Sequence, residues 1–332
     1  MMTIQRFGLI LLGLTLGACA GADYPGFVDA TVEVTTGVDL QEGLENYTNE
    51  QDGRRQPATQ TAAAAAPQAV VRDDVSNTRA RASVRRSSGS DSPFANWSAV
   101  VVAGDHRAAT GADTDAFDNA RREVASQLRR IGFEAQNMSQ FSMRPTRYQE
   151  NGLQTMSFAA MQSGLHQSRR RARDGCLVYM TSHGFPAGFA VGNFEVIAAA
   201  HINEMLDEEC GDDPTILIVS SCYSGVFAQG DLAKPNRFIM TASRSDRTSF
   251  GCGEGDRYPY FDACVLEVFP QATNFVDVAR NTRACVEARE QAGNLSPPSA
   301  PQIYMGPEIR ELMMSPFVIQ QSDQYGPSLS GT

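Results

Sequence analysis

Two short stretches carry residue types that can do nucleophilic chemistry. ILIVSSCYSG (216–225) is an apolar run that stops at two serines, Cys222 and a turn. YMTSHG (179–184) ends a second apolar run at His183 and Gly184. A structural cysteine sits inside an apolar run, where it behaves as a small hydrophobe. Cys222 instead sits where the run ends, and α/β proteins keep their chemistry in loops beyond strand ends. If both runs are parallel strands of one sheet, His183 and Cys222 meet on the same edge. A thiol attacking a carbonyl at neutral pH needs a nearby base or a depressed pKa. It also needs donors for the developing oxyanion. The backbone N–H groups of Gly184 and Cys222 are the candidate donors, and Gly225 lets the chain turn sharply past the thiol.

The elements that must position this pair follow from periodicity. WSAVVVAGD (97–105) is a β-branched run ending in turn residues, which predicts a buried strand. In TDAFDNARREVASQLRRIGF, Phe117, Ala120, Val124, Leu128 and Ile131 fall at helical spacing and Gly132 is the stop. Residues 133–138 read as a second strand and 153–171 as a helix. Strands are expected at 176–184, 215–222, 237–243 and 302–306, and helices at 195–210, 258–269 and 273–291. Buried strands alternating with amphipathic helices predict a mostly parallel sheet covered on both faces.

The chain has 332 residues, 42% of them hydrophobic and 20% charged. A net charge of −10 argues against a general nucleic-acid binder. The local arginine clusters SVRR and SRRRAR (168–173) read as a solvated linker and a helix face. MMTIQRFGLILLGLTLGAC has one arginine and an apolar stretch of signal-peptide length, short for a membrane span. Its end, Leu16-Gly17-Ala18-Cys19, resembles the bacterial lipobox, which implies lipidation of Cys19. Ala20 follows where an acidic residue is absent, which in such signals goes with the outer membrane. The expected location is the bacterial cell envelope, with membrane attachment through this N-terminal lipid.

The expected organisation is a signal peptide (1–19), a disordered tether (20–94), a folded domain (95–310) and a C-terminal tail (311–332). The tether includes TAAAAAPQ and has almost no large apolar residue after Tyr47, too little hydrophobicity to offset chain entropy. Of seven cysteines, Cys19 and Cys222 have candidate roles. Cys176, Cys210, Cys252, Cys264 and Cys285 remain, which allows one or two disulfides in an exported chain with at least one thiol left over. Cys252 and Cys264 are either a disulfide or a pair of free thiols. No CxxC or zinc-type His/Cys spacing is present, so no metal is expected. His106, on the loop after the first strand, is a weaker cleft candidate; His166 and His201 read as ordinary polar positions. Tyr223 and Phe250 read as packing residues.

With the strand–HG pair at 181–184, the strand–C-x-S-G turn at 219–225 and TASRSDRTSFGC at 241–252, the chain resembles the legumain family of caspase-like cysteine peptidases, in its bacterial branch. The resemblance covers about 97–306. It implies a three-layer α/β caspase-like fold, a Cys222–His183 dyad without a required third member, a peptide or protein substrate, and no cofactor. It also implies that Arg107, Ser249 and Asp262 bind an asparagine or protonated aspartate side chain, since a cation and a carboxylate together suit a carboxamide. The chain departs from legumains in the order Asp105-His106-Arg107 and in Ser220, where they carry a glutamate. Ser221 stands where metacaspases place an aspartate, and the caspase signature Q-A-C-x-G is absent. Two other readings of the same residues are a non-catalytic binding or assembly module and a transpeptidase or transamidase using the same dyad.

Overall fold

The structure is a computed structural model and describes residues 92–192 and 195–319. Cys19 and nearly all of the expected tether lie outside the described residues.

The dominant element is a seven-stranded sheet. Its strands are β1 (Trp97–Ala103), β2 (Met138–Ser142), β3 (Leu153–Thr155), β4 (Gly175–Thr181), β8 (Thr215–Ser220), β9 (Arg237–Thr241) and β10 (Gln302–Met305). In space they run β10-β9-β8-β4-β1-β2-β3, every pairing parallel except β9 with β10. The helices are α1 (Ala116–Arg130), α2 (Pro145–Tyr148), α3 (Phe158–Arg169), α4 (Ala199–Glu209), α5 (Tyr260–Val268), α6 (Phe275–Ala292) and α7 (Arg310–Met314). The expected α/β architecture of three layers is therefore present.

Alternation along the strands builds the layers. Ala99, Val101, Leu177, Tyr179, Ile216 and Ile218 pack with residues of α1, α5 and α6 in one cluster. Val100, Val102, Val178, Met180, Leu217 and Val219 pack with α3 and α4 in the other. Both faces of each central strand are thus buried, which is why these strands read as continuous apolar runs.

Several boundaries differ from the sequence reading. The second strand is Met138–Ser142 rather than 133–138, because Phe133 instead stacks on Phe94 in the core and Ala135–Asn137 form a 3-10 turn. The helix expected over 153–171 starts at Phe158, where Ser157 caps it by accepting a hydrogen bond from the Ala160 N–H, and Leu153–Thr155 extend the sheet instead. Gly184–Phe185 (β5), Gly188–Val191 (β6) and Glu195–Ile197 (β7) form a small antiparallel sheet that the periodicity did not reveal. These strands are too short for a period to register.

Among the described residues two disulfides fasten helices: Cys176 on β4 to Cys210 at the end of α4, and Cys264 on α5 to Cys285 on α6. Cys264 is therefore not a partner of Cys252. Of the arginines in 168–173, Arg169 pairs with Asp213 and Arg171 donates to the carbonyl of Gln136, while Arg170 and Arg173 are exposed at the end of α3. Among the described residues no helix is long and apolar enough to cross a membrane.

Candidate active site

Strand register brings His183 and Cys222 to one place. Thr181 on β4 is level with Ser220 on β8, and each candidate lies two residues beyond its strand end. Ala103, the last residue of β1, is level with Thr181 on the other side. The loops after three adjacent parallel strands therefore gather at one sheet edge. Gly184 makes the approach close: a Cβ there would lie 2.1 Å from the carbonyl oxygen of Cys222. Phe117, at the start of α1, sets its ring edge-on to His183 at 5.2 Å and shares a small cluster with Cys222, Ala103 and Cys252. No sequence signal distinguished Phe117 from an ordinary helix core residue.

The His183 ring has a defined orientation. Its Nε2 lies 2.8 Å from the carbonyl oxygen of Arg107. A carbonyl only accepts, so Nε2 carries the proton and Nδ1 is the basic nitrogen of the neutral ring. Asp105 builds the loop that supplies this carbonyl. Its Oδ1 accepts the N–H groups of His106 (2.6 Å) and Arg107 (3.1 Å), and its carboxylate takes the Arg107 guanidinium through Nε (3.0 Å) and Nη2 (2.9 Å). The charge of Arg107 is matched by Asp105 within its own loop. His106 turns to Asp113, with Nδ1 3.1 Å from its Oδ1. His166 faces Glu209 and His201 lies by the Phe158 ring.

Cys222 sits on a sharp turn. Tyr223, directly after it, takes the left-handed conformation with φ 57°, which costs a non-glycine residue about 1–2 kcal/mol and must be held by its surroundings. The Tyr223 N–H donates to the Arg247 carbonyl at 2.8 Å. Ser224 and Ser243 exchange hydrogen bonds, each N–H donating to the other's hydroxyl at 3.1 Å, and the Ser243 hydroxyl donates to the Ser221 carbonyl at 3.1 Å. Gly225 permits this docking, since a Cβ would fall 2.4 Å from the Ser245 nitrogen.

The thiol itself is covered, with Cys222 only 1% exposed. The Ser249 N–H donates to Sγ at 3.1 Å, the Ser249 hydroxyl lies 3.6 Å away and its carbonyl 3.7 Å. Burial pushes the thiol pKa up to about 11, against a smaller opposite pull from the Ser249 groups. Two loops meet nearby: Thr110 donates to Glu254 Oε1 at 2.7 Å, and Thr114 to the Gly253 carbonyl at 3.3 Å.

Asp262 is placed differently from the sequence expectation. It is 0% exposed in the first turn of α5, one oxygen taken by the Tyr179 hydroxyl and the other by Thr181 Oγ1 at 2.7 Å. Its carboxyl thus faces the hydroxyls of β4 and is shielded from solvent. Arg107 and Ser249 do flank the dyad, Arg107 through its carbonyl on His183 and Ser249 directly on the thiol.

The class these features define is an α/β protein with a thiol and an imidazole ending two adjacent parallel strands. The chain belongs to the Peptidase C13 family, whose model matches residues 117–283, just over half of the chain. It is accordingly a cysteine-type peptidase by class, in agreement with the legumain resemblance of its motifs. The match spans His183, Gly184, Cys222, Ser249 and Asp262. Among solved structures, caspase-1 from Spodoptera frugiperda is similar with a TM-score of 0.45 and 12% identity, over 64% of this chain and 87% of that one. No curated protein matches the chain.

Proposed function

We propose that the chain is a cysteine endopeptidase in which Cys222 attacks the peptide carbonyl and His183 handles the proton. The observation that carries this reading is the level ending of β4 and β8, with Gly184 seated against the Cys222 carbonyl. His183 Nδ1 takes the thiol proton, a thioester forms at Sγ, and the imidazolium protonates the leaving amine. Water then hydrolyses the thioester. The N–H groups of Gly184 and Cys222 are the proposed oxyanion donors.

A thiol with pKa near 11 under a Ser249 strap is a resting nucleophile. Substrate binding must move that strap, freeing the Ser249 N–H and carbonyl for other partners. Cleavage after asparagine or aspartate is the proposed preference, with Arg107 and Ser249 at the pocket. The covered thiol also favours a second reading, a binding module that keeps the fold. A folded protein whose Cys222 is never labelled by a thiol-reactive peptide probe would support that alternative. We further propose that Cys19 carries a lipid that holds the domain at a bacterial envelope membrane.

Mapping the cut sites in a peptide library tests the specificity. Products should carry Asn or Asp at their new C-termini, and cutting without that preference would reject the proposed pocket. Adding an amine nucleophile separates hydrolysis from transfer, because a transferase would give the amide product.

A further inference from the structure

Asp262 is a buried carboxyl that the dyad chemistry leaves unused. It stands on α5, directly after the segment carrying Ser249 and Cys252, and reaches across to β4. Its partners are hydroxyls: Tyr179 on one oxygen and Thr181 on the other, with Ser220 at the end of β8 also acting on it. Thr181 lies two residues before His183, and Ser220 two residues before Cys222. One carboxyl therefore bonds or borders both strand ends from which the dyad projects.

We propose that Asp262 is a positioning residue for the dyad: its neutral carboxyl ties the ends of β4 and β8 to α5, and ionisation of that carboxyl loosens them. This rests on the Cys222–His183 reading. Hydroxyls either donate or accept, so Tyr179, Thr181 and Ser220 satisfy the neutral acid as well as the carboxylate. No cation is among the groups acting on Asp262, and the hydrogen bonds from its hydroxyl partners only partly offset the burial of a negative charge. Burial accordingly pushes its pKa up to about 7, and pushes that of Tyr179 well above the ordinary phenol value. On α1, which packs on α5, Asp118 and Arg121 pair with each other, and Arg121 also pairs with Glu150. On α6, tied to α5 by Cys264–Cys285, Arg280, Arg283 and Arg289 pair at the surface with Asp277, Glu287 and Glu267.

The test compares wild type, Asp262→Asn and Asp262→Ala as full chains. The rate of Cys222 alkylation by iodoacetamide is followed from about pH 5 to about pH 9, with Cys222→Ala as the blank, alongside kcat and KM on a cleaved peptide. Wild type should show a second inflection in alkylation near neutral pH and a fall in kcat through the same range. Asp262→Asn, which cannot ionise, should lose both and keep kcat within about threefold of wild type at low pH. Asp262→Ala should lower kcat at least about tenfold with KM changed by no more than about twofold. Identical pH profiles for Asp262→Asn and wild type would overturn the proposal. So would an Asp262→Ala protein that raises KM alone, as a substrate contact would. If Asp262→Ala fails to fold, the Asn comparison decides. If no variant cleaves any peptide, the peptidase reading fails while the alkylation profile still judges Asp262.

Discussion

At neutral pH a thiol with pKa near 11 is almost wholly protonated, so the proposed mechanism requires that a base take the Cys222 proton and that its roof move. The Arg107 carbonyl orients the His183 ring and leaves Nδ1 basic, as the proposed role requires. Replacing His183 with Ala should lower kcat/KM by roughly a hundredfold to ten-thousandfold while the melting temperature stays within a few degrees. Gly184→Ala is expected to be worse for the fold, since its Cβ would sit 2.1 Å from the Cys222 carbonyl. A thermal melt and a peptide assay on both variants distinguish lost chemistry from lost packing. The position of Cys222, His183 and Gly184 beyond two strand ends was legible in the sequence, because an apolar run stops there and polar or reactive types follow. Asp262 was expected at the pocket because the legumain resemblance implied it, and nothing in the local pattern tells which way its carboxyl turns. Only the three-dimensional approach of α5 to Tyr179 and Thr181 shows that it turns inward.

At the scale of elements, the site is three parallel strand ends plus two loops that close over them. The loop after β1 and the loop before α5 are joined by the Thr110–Glu254 and Thr114–Gly253 hydrogen bonds. Thr110→Val with Glu254→Gln should loosen the roof and speed Cys222 alkylation several-fold, read against Cys222→Ala; an unchanged rate would mean that these bonds do not gate the thiol. Behind the site, Cys264–Cys285 closes a loop of 21 residues between α5 and α6. Replacing both cysteines with serine should cost about 2–4 kcal/mol of stability, measured by denaturant unfolding. The long strands and amphipathic helices were readable because a period needs length to register. The small sheet β5-β6-β7 was not, since its strands have two, four and three residues. The shift of β2 to Met138–Ser142 came from Phe133, whose apolar character suits a core contact with Phe94 as well as a strand.

For the whole molecule, Asp262 couples folding to pH. Its pKa is raised from 3.8 to about 7 in the folded state, so the folded chain holds this proton more tightly than the unfolded one. The stability it contributes is full below the unfolded value and is lost as pH rises through the folded value. Asp262→Asn removes that loss. Its melting temperature relative to wild type should therefore climb as pH goes from about 5 to about 8, and a constant difference across that range would show that Asp262 does not titrate there. The net charge of −10 argued against a general nucleic-acid binder. Charge and composition carried no information on which peptide the cleft accepts, because that depends on loop conformations around Arg107 and Ser249.

The most direct test of the central claim is intact-mass analysis of wild type and Cys222→Ala during turnover of one cleaved peptide. The account predicts that wild type cleaves it through an acyl adduct on Cys222 that is caught by rapid acid quenching, whereas Cys222→Ala neither cleaves the peptide nor forms the adduct. A Cys222→Ala protein that cleaves the peptide as fast as wild type would contradict it.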